Sequence, residues 1–242
     1  DMLSRLSIQK SSDTIFDPAC GSGTILSSAY KIKKELYVLE KKAGNPHKRM
    51  AEEEIYGVDI MPFAVHLTSA NIAAMDPSIT ISRTQIIEGD SLGLDEGKTY
   101  ASGLVHEQTT LFPKAKYAKT FTDDRYEINL DRVDVILMNP PFTKVERGIK
   151  KFCKMERFKK NVGGEVGLWG HFIELSKLFL LKNGIFGGVI PINILRGRES
   201  EKVRNSVFFE WTPLYVIKPT LNYGFSEWSE YRDILIVAKN TK

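Results

Sequence analysis

Apolar residues along this chain occur in two alternating arrangements. Residues 14–16, 54–60, 84–90 and 133–138 form short, largely apolar runs bounded by turn-forming residues, as buried strands do. The segments between the early runs repeat their apolar residues every three or four positions, which is typical of helices; the first has Ile25, Ala29, Ile32, Leu36 and Leu39. Strands that alternate with helices predict a doubly wound α/β fold, with helices on both faces of a mostly parallel sheet.

The second half of the chain continues the alternation after a long polar segment, 91–131, which we predict to be an elaborated loop. The apolar spacing after residue 167 predicts a helix that ends at Asn183–Gly184 and carries Leu168, Phe172, Leu175, Leu178 and Leu181 on one side. The remaining predicted elements are a strand at 185–190, a helix over about 198–207, and closing strands at 213–217 and 233–238.

Composition limits the class of protein. The chain has 242 residues, 42% hydrophobic and 26% charged, enough for the core of one large or two small soluble domains. No apolar run approaches the ~20 residues of a membrane span, and no signal-peptide pattern begins the chain. Two cysteines, Cys20 and Cys153, and four histidines without paired spacing predict neither a disulfide framework nor a metal site. We expect a cytoplasmic protein.

The positive charge is concentrated in one segment. Residues 143–160 contain eight Lys and Arg against two Glu, a net +6, so the remainder of this +4 chain carries −2. Such a block is often only a solvated helical face. Its position directly after the Asn139–Phe142 motif favours contact with a phosphate backbone, as Lys150 and Lys151 could make.

The stretch "FDPACGSGTIL", residues 16–26, lies at a predicted strand-to-helix turn, where open α/β sheets bind ligands. Gly21 and Gly23 would let the backbone approach a ligand closely. The dinucleotide fingerprint requires a third glycine where this chain has Leu26, and the GxxxxGK[ST] phosphate loop is absent. Asp17, placed before the glycines, favours a cationic ligand.

Three consecutive strands are each followed or ended by an aspartate: Asp17, Asp59 and Asp90. One such residue alone would most simply be a turn or helix cap. Three at the same edge, beside a glycine loop, suit S-adenosylmethionine, which presents an ammonium, a sulfonium, a ribose diol and an adenine amino group. A strand-end acid can accept hydrogen bonds from ribose hydroxyls.

The stretch "VDVILMNPPF", residues 133–142, ends a buried strand in an amide, two prolines and an aromatic ring. Pro140 and Pro141 could simply terminate the strand. Alternatively, the Asn139 side-chain oxygen and the Pro140 carbonyl could hold an amino group for an in-line transfer to its nitrogen, in a corner that the prolines stiffen. Phe142 offers a stacking face for a base.

With these motifs assembled, the chain resembles the adenine-N6 DNA methyltransferases of restriction–modification systems, closest to type I modification subunits and to type II relatives with the same motif order. The similar segments are "DPACGSG", "YGVDIMPFAVHLTSANIAAM", "EGDSL", "NPPF" and "NGIFGGVIPINILRGRESEKVR". The resemblance implies a class I S-adenosylmethionine-dependent methyltransferase sheet of order 3-2-1-4-5-7-6 with the last strand antiparallel.

The resemblance also implies roles for individual residues. Cofactor-binding residues would be Asp17, Pro18, Ala19, Gly21, Gly23, Asp59, Ile60, Asp90 and Ser91. Catalytic residues would be Asn139, Pro140, Pro141 and Phe142. Substrate-binding residues would be Phe225, for which loop packing is an equal alternative, and the basic Lys150 and Lys151.

The implied function is methyl transfer from S-adenosylmethionine to N6 of a flipped-out adenine in DNA, within a prokaryotic restriction–modification system. We expect residues 1–242 to be one catalytic domain, a fragment without the upstream cofactor segment and the target-recognition domain. Implied partners are DNA, a specificity subunit or fused recognition domain, and a restriction nuclease. The alternatives are methyl transfer to amino groups of RNA bases or protein glutamine, and a catalytically silent nucleic-acid-binding module.

Overall fold

The computed structural model describes residues 1–101, 126–143, 155–163, 166–219 and 232–242. The strands in these ranges are β1 (Ile15–Asp17), β2 (Ile55–Asp59), β3 (Gln85–Glu88), β4 (Lys98–Ala101), β5 (Glu127–Leu130), β6 (Val133–Met138), β7 (Leu180–Pro191), β8 (Thr212–Ile217) and β9 (Asp233–Lys239).

The α-helices in the same ranges are α1 (Met2–Ser7), α2 (Thr24–Leu39), α3 (His47–Arg49), α4 (Pro62–Ala73), α5 (Lys159–Val162), α6 (Leu168–Phe179) and α7 (Glu201–Asn205). Two π-helical turns lie at Met50–Glu54 and Ser206–Glu210. Short 3₁₀ turns lie at Ser91–Gly93, Met155–Phe158 and Ile192–Leu195.

The main sheet has seven strands in the order β3-β2-β1-β6-β7-β9-β8. Strands β4 and β5 form a separate two-stranded antiparallel sheet inside the segment predicted to be a loop. When only the strands of the main sheet are counted, their order is 3-2-1-4-5-7-6, which confirms the predicted order. Strand β9 is antiparallel to both of its neighbours, whereas β1, β2, β3, β6 and β7 are mutually parallel.

Alternate residues of the central strands supply two apolar cores, one on each face of the sheet. On one face, Phe16, Ile136 and Phe186 pack in the same cluster as the apolar side of α6. On the other face, Ile15 and Val135 pack with residues of α1, α2 and α4. Because successive side chains of a strand point to opposite faces, each central strand contributes to both cores, and the fold is doubly wound as predicted.

The predicted helix that ended at Asn183–Gly184 is shorter than its pattern indicates. Helix α6 ends at Phe179, and Leu180 adopts an extended conformation that begins β7. The Asn240 side-chain amide donates to the Leu180 and Leu181 carbonyls at 3.3 and 3.0 Å, partners that lie 60 and 59 residues away in sequence. Tertiary pairing therefore overrides a helical spacing that continues through Leu181.

Candidate functional site

The carboxyl ends of four parallel strands lie side by side at one edge of the sheet. Strand β1 pairs with β2 on one side, where Asp17 is opposite Gly57, and with β6 on the other, where Phe16 is opposite Ile136. Strand β2 pairs with β3, so that Asp59 is opposite Glu88. The glycine loop, residues 18–23, therefore leaves β1 between the aspartate of β2 and the Asn139–Phe142 corner after β6.

Two glycines shape the loop, and Asp59 supports it. Gly21 and Gly23 have φ angles of 53° and 80°, which an L side chain rarely adopts, and Gly23 is the residue before the first turn of α2. The Asp59 carboxylate accepts hydrogen bonds from the backbone N–H groups of Gly21 and Met61, both at 2.9 Å. A Cβ placed on Gly21 would meet no atom within 4 Å, so the loop leaves open space for close approach of a ligand.

Asp17 is the buried acid of the site, only 1% exposed. Its carboxylate accepts a 2.9 Å hydrogen bond from the Ala19 N–H. Burial raises the Asp17 pKa to about 7, Ala19 opposes the rise, and the negative charge of Asp59 adds to it. A cation bound beside Asp17 would restore the charged form, since opposite charges favour each other's ionisation. The observed surroundings therefore fit a cationic ligand group.

The segment that follows β3 also forms hydrogen bonds with the glycine loop and with the end of β2. The Ser91 hydroxyl donates to the Pro18 carbonyl at 2.5 Å, and the Gly89 N–H donates to the Asp59 carbonyl at 2.9 Å. The Asp90 carboxylate accepts from the Leu92 N–H at 3.1 Å, which begins a 3₁₀ turn. The structure thus brings together the cofactor-binding residues predicted from the first three strands.

Two further residues of this region lie in a stretch that resembles the family, but neither of them has a role predicted from the sequence. Thr68 and Asn71, on α4, donate hydrogen bonds to the carbonyls of Gly21 and Ser22 at 2.7 and 2.9 Å. Each is a single polar residue within a helix, and such residues are usually solvated or caps. Only the tertiary structure shows that both contact the glycine loop.

The Asn139–Phe142 corner is more open than the loop. Asn139 and Pro141 are exposed, Pro140 is buried, and Phe142 is partly buried against both apolar cores. The beginning of α6 holds the chain that follows, because the Leu168 N–H donates to the Thr143 carbonyl at 3.1 Å.

Gly167 packs directly against this corner. A Cβ at Gly167 would lie 2.8 Å from the Phe142 carbonyl oxygen and 3.0 Å from that of Thr143. Both contacts are with backbone, which cannot move aside as the end of a flexible side chain could. A residue without a side chain is therefore required where α6 meets the corner.

Only part of the basic segment can be placed. Lys150, Lys151 and the loop residue Phe225 lie outside the described residues. Within the described part, Arg157 donates to the Leu94 carbonyl and to Asp95, at 2.6 and 2.7 Å. The Arg157 guanidinium is thus held by an internal contact. Lys159 pairs with Glu156 at 3.2 Å, and both Lys159 and Lys160 are exposed.

The histidines of α4 and α6 differ in environment. His66 is exposed, whereas His171 is 3% exposed and burial lowers its pKa. Within the described ranges, no group of three or more His, Cys, Asp or Glu residues could hold a metal ion. In the same ranges, no helix is long and apolar enough to span a membrane.

Several solved structures share this fold. The EcoKI M protein of a type I restriction enzyme superposes with a TM-score of 0.62 at 15% identity, over 98% of this chain and 41% of that one. A modification subunit of a putative type I restriction enzyme from Vibrio vulnificus YJ016 gives 0.60 at 18% identity, over 99% and 42%. A putative class I S-adenosylmethionine-dependent methyltransferase from Listeria monocytogenes gives 0.58 at 15% identity, over 99% and 56%.

These likenesses establish the fold, and this chain spans about two fifths of the first two relatives. No curated protein matches it in sequence. A family description of an RMKL-like methyltransferase domain matches residues 2–97. A second one matches residues 53–217, well over half of the chain and most of the seven-stranded sheet. By that match, the chain belongs to the Eco57I restriction-modification methylase family.

Proposed function

We propose that this chain is the catalytic domain of an S-adenosylmethionine-dependent methyltransferase that modifies N6 of adenine in DNA. The observation that carries the proposal is the adjacency of two features at the carboxyl edge of β1 and β6. One is a glycine loop with a buried carboxylate, and the other is an amide–proline–proline–aromatic corner. Membership of a restriction-modification methylase family supports DNA as the substrate.

The loop and the strand ends would hold the cofactor. Asp17 would face its ammonium group, since a buried carboxylate with a pKa near 7 gains most from a neighbouring cation. Asp59 would accept the ribose hydroxyls, Ile60 would cover an adenine face, and Asp90 would accept from the adenine amino group. Ile60 is 46% exposed, so an apolar surface is available beside Asp59.

The corner would hold the target base. When bound, S-adenosylmethionine supplies an electrophilic methyl group. The Asn139 side-chain oxygen and the Pro140 carbonyl would each accept one hydrogen of the adenine amino group, which favours a pyramidal nitrogen with its lone pair free to react. Pro141 would keep the two acceptors in place, so that little reorganisation is needed during transfer. Phe142 would stack on the extruded base.

Basic residues outside the described part of the chain, including Lys150 and Lys151, would contact the DNA backbone, and Phe225 would offer a second face to the base. The protein would act with a specificity subunit or a fused recognition domain, and with a restriction nuclease. The structural relatives whose names include type I restriction enzymes support such an assembly.

The test is to identify the methylated product. Full-length protein is incubated with methyl-labelled S-adenosylmethionine and, separately, with DNA, RNA and a glutamine-containing protein substrate. The proposal predicts label in DNA, recovered as N6-methyladenine after digestion. Label in RNA or protein, or as methylcytosine, would assign a different substrate to the same corner, and absence of cofactor binding would support a silent module.

A further inference from the structure

Helix α4 contacts the glycine loop through one face. Thr68, which is fully buried, donates its hydroxyl hydrogen to the Gly21 carbonyl at 2.7 Å. Asn71, three residues later on the same face, donates its amide hydrogen to the Ser22 carbonyl at 2.9 Å. One helix therefore binds two successive carbonyl groups of the loop.

Hydrogen bonds therefore hold both the N–H and the carbonyl group of Gly21. Its N–H donates to Asp59, and its carbonyl accepts from Thr68. Thr68 also fills the space beside Gly23, where a Cβ would lie 2.8 Å from the Thr68 Cγ2. The conformation of the loop is thus determined by contacts from β2 and α4.

These contacts fix the direction of the loop amides. In a trans peptide the C=O and N–H groups point in opposite directions. Since the Gly21 carbonyl points at α4, the N–H of the same peptide, which belongs to Ser22, points away from α4. The open space beside Gly21 lies at the same turn.

We propose that Thr68 and Asn71 are positioning residues for the cofactor: they hold the loop in its binding conformation before the cofactor arrives. This inference rests on the proposed function, because it assigns S-adenosylmethionine to the loop. Without these donors, the carbonyls would lose their partners and the loop could adopt other conformations, whose reordering on binding would weaken affinity.

Calorimetric titration of S-adenosylmethionine tests the proposal. Thr68→Val keeps the shape of the side chain and removes the donor, and we expect about a tenfold weaker affinity, the scale of one lost hydrogen bond to a buried group. Thr68→Ser retains the hydroxyl and should bind within about twofold of the wild type. Asn71→Ala should weaken binding by a smaller factor; because Asn71 is only partly buried, this variant should fold even if Thr68→Val does not.

Thr14→Val is the matched control. At the opposite end of β1, the Thr14 hydroxyl donates to the Asp134 carboxylate at 2.8 Å and accepts from the Asp134 N–H at 3.0 Å, so this variant loses two hydrogen bonds far from the loop. Its melting temperature should fall while its cofactor affinity stays unchanged, whereas Thr68→Val should change affinity. Wild-type affinity in folded Thr68→Val or in Asn71→Ala would overturn the inference and leave the proposed function standing. A wild-type protein that binds no cofactor would overturn both.

Discussion

The glycine loop and the Asn139–Phe142 corner end neighbouring strands, but they are built differently. The loop is enclosed by side chains from β2, α4 and the segment after β3, and its acid Asp17 is buried. The corner presents an exposed amide and an exposed proline, its Phe142 ring packs partly buried against both apolar cores, and Gly167, just before α6, lies against its backbone. A cofactor that is present in every turnover suits a preformed site. A base that must enter from a duplex requires an accessible one.

The largest effect should come from the corner. We expect Asn139→Ala to reduce methyl transfer by at least 10²–10³-fold, the range for removal of one preorganised group at a reacting centre. Single-turnover transfer to adenine-containing DNA measures the loss. A near-normal rate would mean that the corner only terminates β6.

A substitution that removes support from the glycine loop should weaken cofactor binding. Asp59→Ala removes the acceptor for the Gly21 and Met61 N–H groups as well as the predicted ribose contact. We expect S-adenosylmethionine binding to weaken by about 1–3 kcal/mol, the range for hydrogen bonds to a charged group. Titration of the folded variant is the check, with Asp59→Asn as the control that keeps one acceptor oxygen. Unchanged affinity would contradict the assignment.

Gly167→Ala adds a single methyl group, which should affect the corner but not the glycine loop. The added Cβ would displace the Phe142 and Thr143 carbonyls and so move the corner, while the glycine loop is untouched. We expect the transfer rate to fall on the order of tenfold or more, since small misplacements at a reacting centre are costly. Cofactor affinity should remain at the wild-type value; a parallel loss of affinity would show that the corner and loop are not independent.

Cofactor affinity should depend on pH through Asp17. Because its pKa is raised to about 7, the carboxyl is mostly protonated below that pH in the cofactor-free protein and must lose its proton to pair with a cation. Affinity should therefore fall about tenfold between pH 8 and pH 6 as the charged fraction falls. Asp17→Asn should bind the cofactor weakly and independently of pH.

The raised pKa of Asp17 also affects folding stability: this carboxyl's contribution to stability falls as pH rises from about 4 to about 7.

The smallest effect should come from the basic segment. Replacing Lys150, Lys151, Lys154 and Lys159 together should weaken binding alike on all DNA sequences. It should also flatten the salt dependence by about one unit of slope per lost phosphate contact. Replacing four exposed lysines outside the segment, Lys10, Lys31, Lys41 and Lys48, is the control for general charge loss. An unchanged slope would make this segment a solvated surface.

The sequence predicted the fold and both motifs because these depend on local patterns. Short apolar runs defined the seven strands of the main sheet, and glycines or prolines at strand ends marked the two candidate sites. Tertiary contacts decided what the patterns did not show. Leu180 belongs to β7, where it pairs with Val133 and its carbonyl accepts from Asn240. Thr68 and Asn71 support the loop from a separate helix.

Changes in the glycine loop should affect cofactor binding, and changes in the Asn139–Phe142 corner should affect methyl transfer. The most direct test measures the dissociation constant of the cofactor and the single-turnover rate at saturating cofactor for the wild type, Asn139→Ala and Asp59→Ala. The account predicts that Asn139→Ala binds S-adenosylmethionine within about twofold of the wild type yet loses transfer by 10²-fold or more. Asp59→Ala should bind weakly and recover most of its rate at saturating cofactor. Equal losses of affinity and rate in both variants would contradict it.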